Sequence, residues 1–92
     1  AKALGYYEKA VSVSPSDFRL WLALGKARGR AGDDAGAEKA LRKALELAPN
    51  YAEIHWVLGN FLLRQGNEEE AFAKLRRAIE QDEKFANPAV VM

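Results

Sequence analysis

Shifted by 34 residues, the sequence lies over itself. Leu24-Gly25 falls on Leu58-Gly59, Arg30 on Arg64, Gly32 on Gly66, Ala37 on Ala71, Leu41-Arg42 on Leu75-Arg76, Ala44 on Ala78 and Glu46 on Glu80. Conservative pairs fill the gaps: Leu20 with Ile54, Asp33 with Asn67, Leu45 with Ile79, Tyr51 with Phe85. The matches fall on small and apolar positions, which is where recurring packing contacts would hold them; chance similarity would scatter over charged residues too. Run backwards, the same shift places Ala3, Tyr7, Ala10 and Pro15 over Ala37, Leu41, Ala44 and Pro49. With Phe18 as the start, full units cover 18–51 and 52–85. Residues 1–17 then form the second half of a preceding unit, and 86–92 open a following one. A chain that begins and ends in mid-repeat is expected to be a fragment of a longer array, whose natural ends would carry capping elements with polar outer faces. Pro88 suits an early helical position of that last unit, where its missing N–H costs little.

Each unit reads as two helices. Leu20, Trp21, Leu24 and Ala27 follow the spacing of one apolar helical face, and Ser16 or Asp17 can cap its start. Gly32 suits the left-handed residue that ends a helix, and Asp33 can accept N–H bonds at the start of the next. That second helix carries Ala37, Ala40, Leu41, Ala44 and Leu45 on one face and ends before Pro49. The next unit repeats the pattern with Ile54, Val57, Leu58, Phe61 and Leu62, then Gly66 as the stop. Asn67 followed by Glu70 predicts a variant capping box. Short Gly-Asp and Gly-Asn turns force antiparallel helix pairs, and no segment alternates like a strand, so the expected fold is all-α.

Trp21-x2-Leu24-Gly25, then Ala37-x3-Leu41, Ala44 and Pro49, in this period, resembles the tetratricopeptide repeat. The second unit keeps Leu58-Gly59, Ala71, Leu75 and Ala78, and the leading half-unit keeps Ala3, Tyr7, Ala10 and Pro15. His55 stands in place of the early Trp, Arg28 and Leu62 in place of the usual Tyr, and Glu83 in place of the closing Pro. The resemblance implies a right-handed α-solenoid of antiparallel helix pairs. Gly25, Gly59, Ala37, Ala71, Ala44 and Ala78 would sit where helices approach closely.

The residues offer little for catalysis. There is no Cys, and His55 is the sole histidine, so no metal-ligand pattern can be assembled. Ser12, Ser14 and Ser16 lack a nucleophile elbow and suit the turn around Pro15. The glycines at 25, 29, 32 and 36 lack the Gly-Lys-Ser/Thr ending of a phosphate loop, and neither Gly29 nor Gly36 has a reason in the sequence. Glu68-Glu69-Glu70 opens a helix and Arg76-Arg77 lies toward its end, both favourable with the helix dipole. A net charge of +1 argues against nucleic acid as the partner, although Arg42-Lys43 and Arg76-Arg77 recur as a basic stripe on what would be the convex side. The longest uncharged stretch, 54–63, is half of a membrane span, so no membrane insertion is expected. No signal peptide is visible, and neither cytoplasm nor periplasm is favoured.

Residues 19, 22, 26 and 30 share one side of the first helix: Arg19, Leu22, Lys26 and Arg30. One repeat later come Glu53, Trp56, Asn60 and Arg64. The resemblance implies that these positions line a concave groove holding a partner peptide. Lys26, Arg30 and Arg64 would serve as cations favouring an acidic segment, Asn60 as a backbone-directed amide, and Leu22 and Trp56 as apolar contacts. Leu22 and Trp56 stand where the family's clamp for chaperone tails wants polar residues, so that ligand is not expected. The reading is a non-catalytic interaction scaffold without cofactor or metal. Its rivals are the recruiting arm of an enzyme or envelope-assembly protein whose catalytic part lies elsewhere, and self-association through open array ends.

Overall fold

The computed structural model describes residues 2–82. They form five helices: α1 (Lys2–Val13), α2 (Phe18–Arg30), α3 (Asp34–Leu47), α4 (Ala52–Arg64) and α5 (Glu68–Gln81), with no strand among the described residues. The following unit expected from 86–92, and Glu83 and Phe85, lie outside the described residues. The chain divides into two compact units, one up to Pro49 and one from Asn50. α1 and α3 both pack on α2 in the first, and α4 packs on α5 in the second.

In the first unit, Asp17 is the residue that caps α2, its Oδ1 accepting from Arg19 N–H at 3.0 Å. The indole N–H of Trp21 donates to the carbonyl of Pro15 at 2.7 Å, tying the first turn of α2 to the loop before it. Val11 of α1, Leu24 of α2 and Ala40 of α3 form a buried cluster, with Leu4, Tyr7, Leu20 and Trp21 packed around it. Leu24 and Leu41 are effectively sealed from water, each burial contributing roughly 1.5–3 kcal/mol.

The turns that join the two helices of each repeat, after α2 and after α4, have the same hydrogen bonds. After α2, the N–H of Gly32 donates to Gly29 O and that of Asp33 to Arg28 O; after α4, Gly66 donates to Leu63 O and Asn67 to Leu62 O. This is the Schellman arrangement, which satisfies the last carbonyls of a helix by placing one residue in the left-handed region. Gly32 and Gly66 hold φ of 86° and 85°, and no other residue in the described chain has positive φ.

Helix starts differ between the units. Asp33 Oδ1 accepts from Gly36 N–H at 2.9 Å and caps α3 as expected. Asn67 stands at the corresponding position of α5 but makes no cap bond to the backbone. Its Nδ2 donates instead to Glu70 Oε1 at 3.2 Å, so the capping box is replaced by a side-chain pair. A carboxylate offers only acceptors, whereas an amide can turn its donor to a nearby glutamate. The start of α4 and the end of α5 are joined through Asn50, whose Oδ1 accepts from Arg77 Nη2 at 3.3 Å and Gln81 Nε2 at 3.1 Å.

Close helix approach rests on one fit that appears twice. A Cβ placed on Gly25 would stand 2.7 Å from Leu41 Cγ and Cδ2, and one on Gly59 would stand 2.8 Å from the same atoms of Leu75. Carbon atoms in contact need about 3.5–4.0 Å, so each leucine occupies the volume a side chain would take. Gly36 also gains its reason here. A Cβ there would collide with the capping carboxylate of Asp33 and come within 3.0 Å of Arg28 Cδ. Arg28, at the position of the family's tyrosine, donates from Nη1 to Gly36 O at 3.2 Å and pairs with Glu8 of α1 at 3.7 Å. The guanidinium thus links all three helices of the first unit.

Candidate peptide-binding surface

On α2, the spacing of 19, 22, 26 and 30 brings four side chains to one side of the helix. Arg19 and Arg30 are exposed, Lys26 is half-buried, and Leu22 is buried with 6% exposure. The expected apolar contact from Leu22 therefore offers almost no surface, and the face of α2 is cationic. Arg19 lies over the Phe18 ring, its Cζ 5.8 Å from the centroid, an arrangement that restrains the side chain without consuming its outward donors.

α4 presents Glu53, Trp56, Asn60 and Arg64 at the same spacing. Glu53, Trp56 and Asn60 are half-buried and Arg64 is exposed. Arg64 repeats the arrangement of Arg19, with its Cζ 5.8 Å from the centroid of Phe61. Asn60 donates from Nδ2 to the carbonyl of Trp56 at 2.9 Å. One of its amide hydrogens is held by its own helix, leaving Oδ1 and the second hydrogen for a ligand. That bond also joins the two central residues of the α4 face, fixing the amide beside the indole-bearing turn.

His55 is buried, with 5% exposure, on the side of α4 that carries Ile54, Leu58 and Leu62. Among the described residues, no group of three or more His, Cys, Asp or Glu side chains could hold a metal ion. No helix among them is long and apolar enough to cross a membrane.

One concavity has no counterpart among the sequence expectations. In the first unit, Trp21 and Arg28 of α2 and Lys39, Arg42, Lys43 and Glu46 of α3 line a cleft of about 500 Å³. The Arg42-Lys43 pair carried a signal, as part of a basic stripe. Its meeting with Trp21 depends on how α2 and α3 are rotated against each other, which periodicity does not specify.

A tetratricopeptide repeat family model matches residues 1–52 and, overlapping, 22–84. Among solved structures, the chain is similar to MamA. It is 25% identical to MamA from Desulfovibrio magneticus RS-1, covering 88% of this chain and 46% of that one with a TM-score of 0.82. A second MamA crystal structure gives 26% identity, 87% and 47% coverage and a TM-score of 0.79. A third, of MamA from MSR-1, gives 28%, 89% and 47%, and 0.80. The chain spans just under half the length of these MamA structures. No match was found among curated proteins.

Proposed function

The chain belongs to the tetratricopeptide repeat family, and from that membership we propose that it is a non-catalytic scaffold that holds an acidic segment of a partner protein on the first-helix faces of its repeats. Arg19, Lys26 and Arg30 of α2 and Arg64 of α4 would meet the carboxylates of the partner. Glu53 would select against an acidic residue at its own place, while Trp56 and Asn60 would supply an apolar anchor and a main-chain partner. Leu22 is left out of the direct contacts because it is buried.

The observation that carries this reading is the pairing at the centre of α4. Trp56 is large and half-buried, and the 2.9 Å bond from Asn60 Nδ2 to its backbone carbonyl holds the Asn60 amide beside it, so Asn60 would bind with little loss of rotamer entropy and Trp56 would supply apolar area. Charge on the α2 face would contribute mostly to selectivity and association rate. Affinity capture from native lysate, with this chain and its Lys26→Glu, Arg30→Glu, Trp56→Ala variant as paired baits, identifies the partner as the protein lost from the variant. Calorimetry with that partner should then show Trp56→Ala weakening the complex by at least ~1 kcal/mol. Identical captures by two folded baits would remove these faces from the binding site.

A further inference from the structure

The cleft of the first unit has a lining that calls for a particular kind of occupant. Among the described residues that line it are four cations, Arg28, Lys39, Arg42 and Lys43, and one carboxylate, Glu46. Trp21 contributes ring surface, since its N–H is already given to Pro15. Arg28 is fixed by Gly36 and Glu8. Arg42 pairs with Glu38 at 2.8 Å and Lys43 with Glu46 at 3.5 Å, both pairs on the surface where such contacts contribute little and open readily. Lys39 is exposed and has no ion-pair partner among the described residues. An occupant that fits combines carboxylates with a flat apolar group.

The chain carries that combination itself, in the first turns of α5. Glu68 and Glu69 are exposed, and Phe72 is 53% exposed. Phe72 is four residues after Glu68 and three after Glu69, so ring and carboxylates share one face of the helix. The matching residue of the first unit is Glu38, a polar surface residue paired with Arg42. Phe72 thus leaves about half of a large ring in water where the first unit has a polar side chain, and aromatic side chains are enriched among the anchors of protein contacts.

We propose that the start of α5 in one copy of this chain docks in the cleft between α2 and α3 of a second copy, Phe72 against the ring of Trp21 and Glu68 and Glu69 against Lys39, Arg42 and Lys43. The two surfaces differ, so the contact is head-to-tail and builds rings or open chains. It uses none of the residues assigned to the partner peptide, so either reading can fail without the other.

Sedimentation velocity over a concentration series tests it. The wild-type chain should gain mass with concentration and lose it as salt screens the charges. Phe72→Ala and Lys39→Glu should each weaken self-association by at least about tenfold. Both side chains are exposed, so unchanged circular dichroism is expected for each variant. Mixing Lys39→Glu with Glu69→Lys pairs the two reversed charges with each other and the two unreversed surfaces with each other, and should restore association to within about threefold of wild type. A chain that stays monomeric overturns the proposal. So does association that persists in both single variants, which would point to other exposed apolar groups such as Tyr6 and Val13 of α1, and so does a mixture that fails to recover.

Discussion

Glycine-to-alanine substitution at three helical positions separates packing from helix propensity within one chain. In a helix interior the exchange gains about 1 kcal/mol from the lower entropy of the unfolded backbone. A methyl group added at Gly5 of α1 would have nothing within 4 Å, so Gly5→Ala should realise that gain and raise the melting temperature by up to about 4–8 °C. At Gly25 the new methyl meets Leu41 at 2.7 Å and the carbonyl of Ala37 at 3.3 Å. Leu41 is 1% exposed and has nowhere to turn. Overpacking of this kind costs about 1–3 kcal/mol, so after the propensity gain Gly25→Ala should lose up to about 2 kcal/mol. Gly59→Ala meets Leu75 at nearly the same distance, 2.8 Å, but Leu75 is only half-buried and can rotate outward. The contact with Ala71 O at 3.1 Å remains, which leaves Gly59→Ala between the other two. Urea titration followed by far-ultraviolet circular dichroism gives the three differences. A Gly25→Ala variant as stable as Gly5→Ala would refute the claim that the leucine fills the glycine's place.

Other outcomes follow from the same contacts. Ala44→Leu or Ala78→Leu, each at a fully buried position, should destabilise by roughly 1–3 kcal/mol, read as an earlier thermal midpoint. Leu58→Ala removes a fully buried side chain and should cost about 2–5 kcal/mol in chemical denaturation. Asp33→Ala removes the acceptor of Gly36 N–H and should cost about 1 kcal/mol, whereas Asn67→Ala removes no cap bond and should change denaturation by only a few tenths.

Elements written in local chemistry were legible in the sequence. The stop at Gly32 and Gly66 and the cap at Asp33 depend on residues within one turn, and each stands where its residue type demands. The close approach at Gly25 and Gly59 was legible for a different reason, because the repeat shows each position twice. What the sequence did not convey depends on three-dimensional neighbours. Gly36 gains its reason only once the Asp33 carboxylate has turned in to cap α3 and Arg28, eight residues earlier in the chain, has packed beside it, since both occupy the space a Cβ would take. Asn67 has the right spacing to Glu70 for a cap, yet the choice between backbone and side-chain partner is a competition of geometries. Leu22 shares a helical side with Arg19, Lys26 and Arg30 but is buried, since spacing assigns a direction and not the depth of what surrounds it. The cleft at Trp21 belongs to the same class.

Two interchangeable locks create an ambiguity that the chain must resolve as it folds. Gly25 receives Leu41 and Gly59 receives Leu75 at nearly the same distances, so α5 is the helix of the chain that most resembles α3 as a mate for α2. Connectivity decides between them. Only residues 31–33 separate α2 from α3, whereas about 37 residues separate it from α5. Closing the longer loop costs about 2 kcal/mol more, enough to favour the neighbour by a factor of about thirty. At high concentration a helix from another molecule can compete without closing any loop, and lengthening the turn at Gly32 or Gly66 would relax the discrimination further. Exchange of α3 or α5 between molecules, giving domain-swapped dimers, is therefore the misassembly to expect at high concentration.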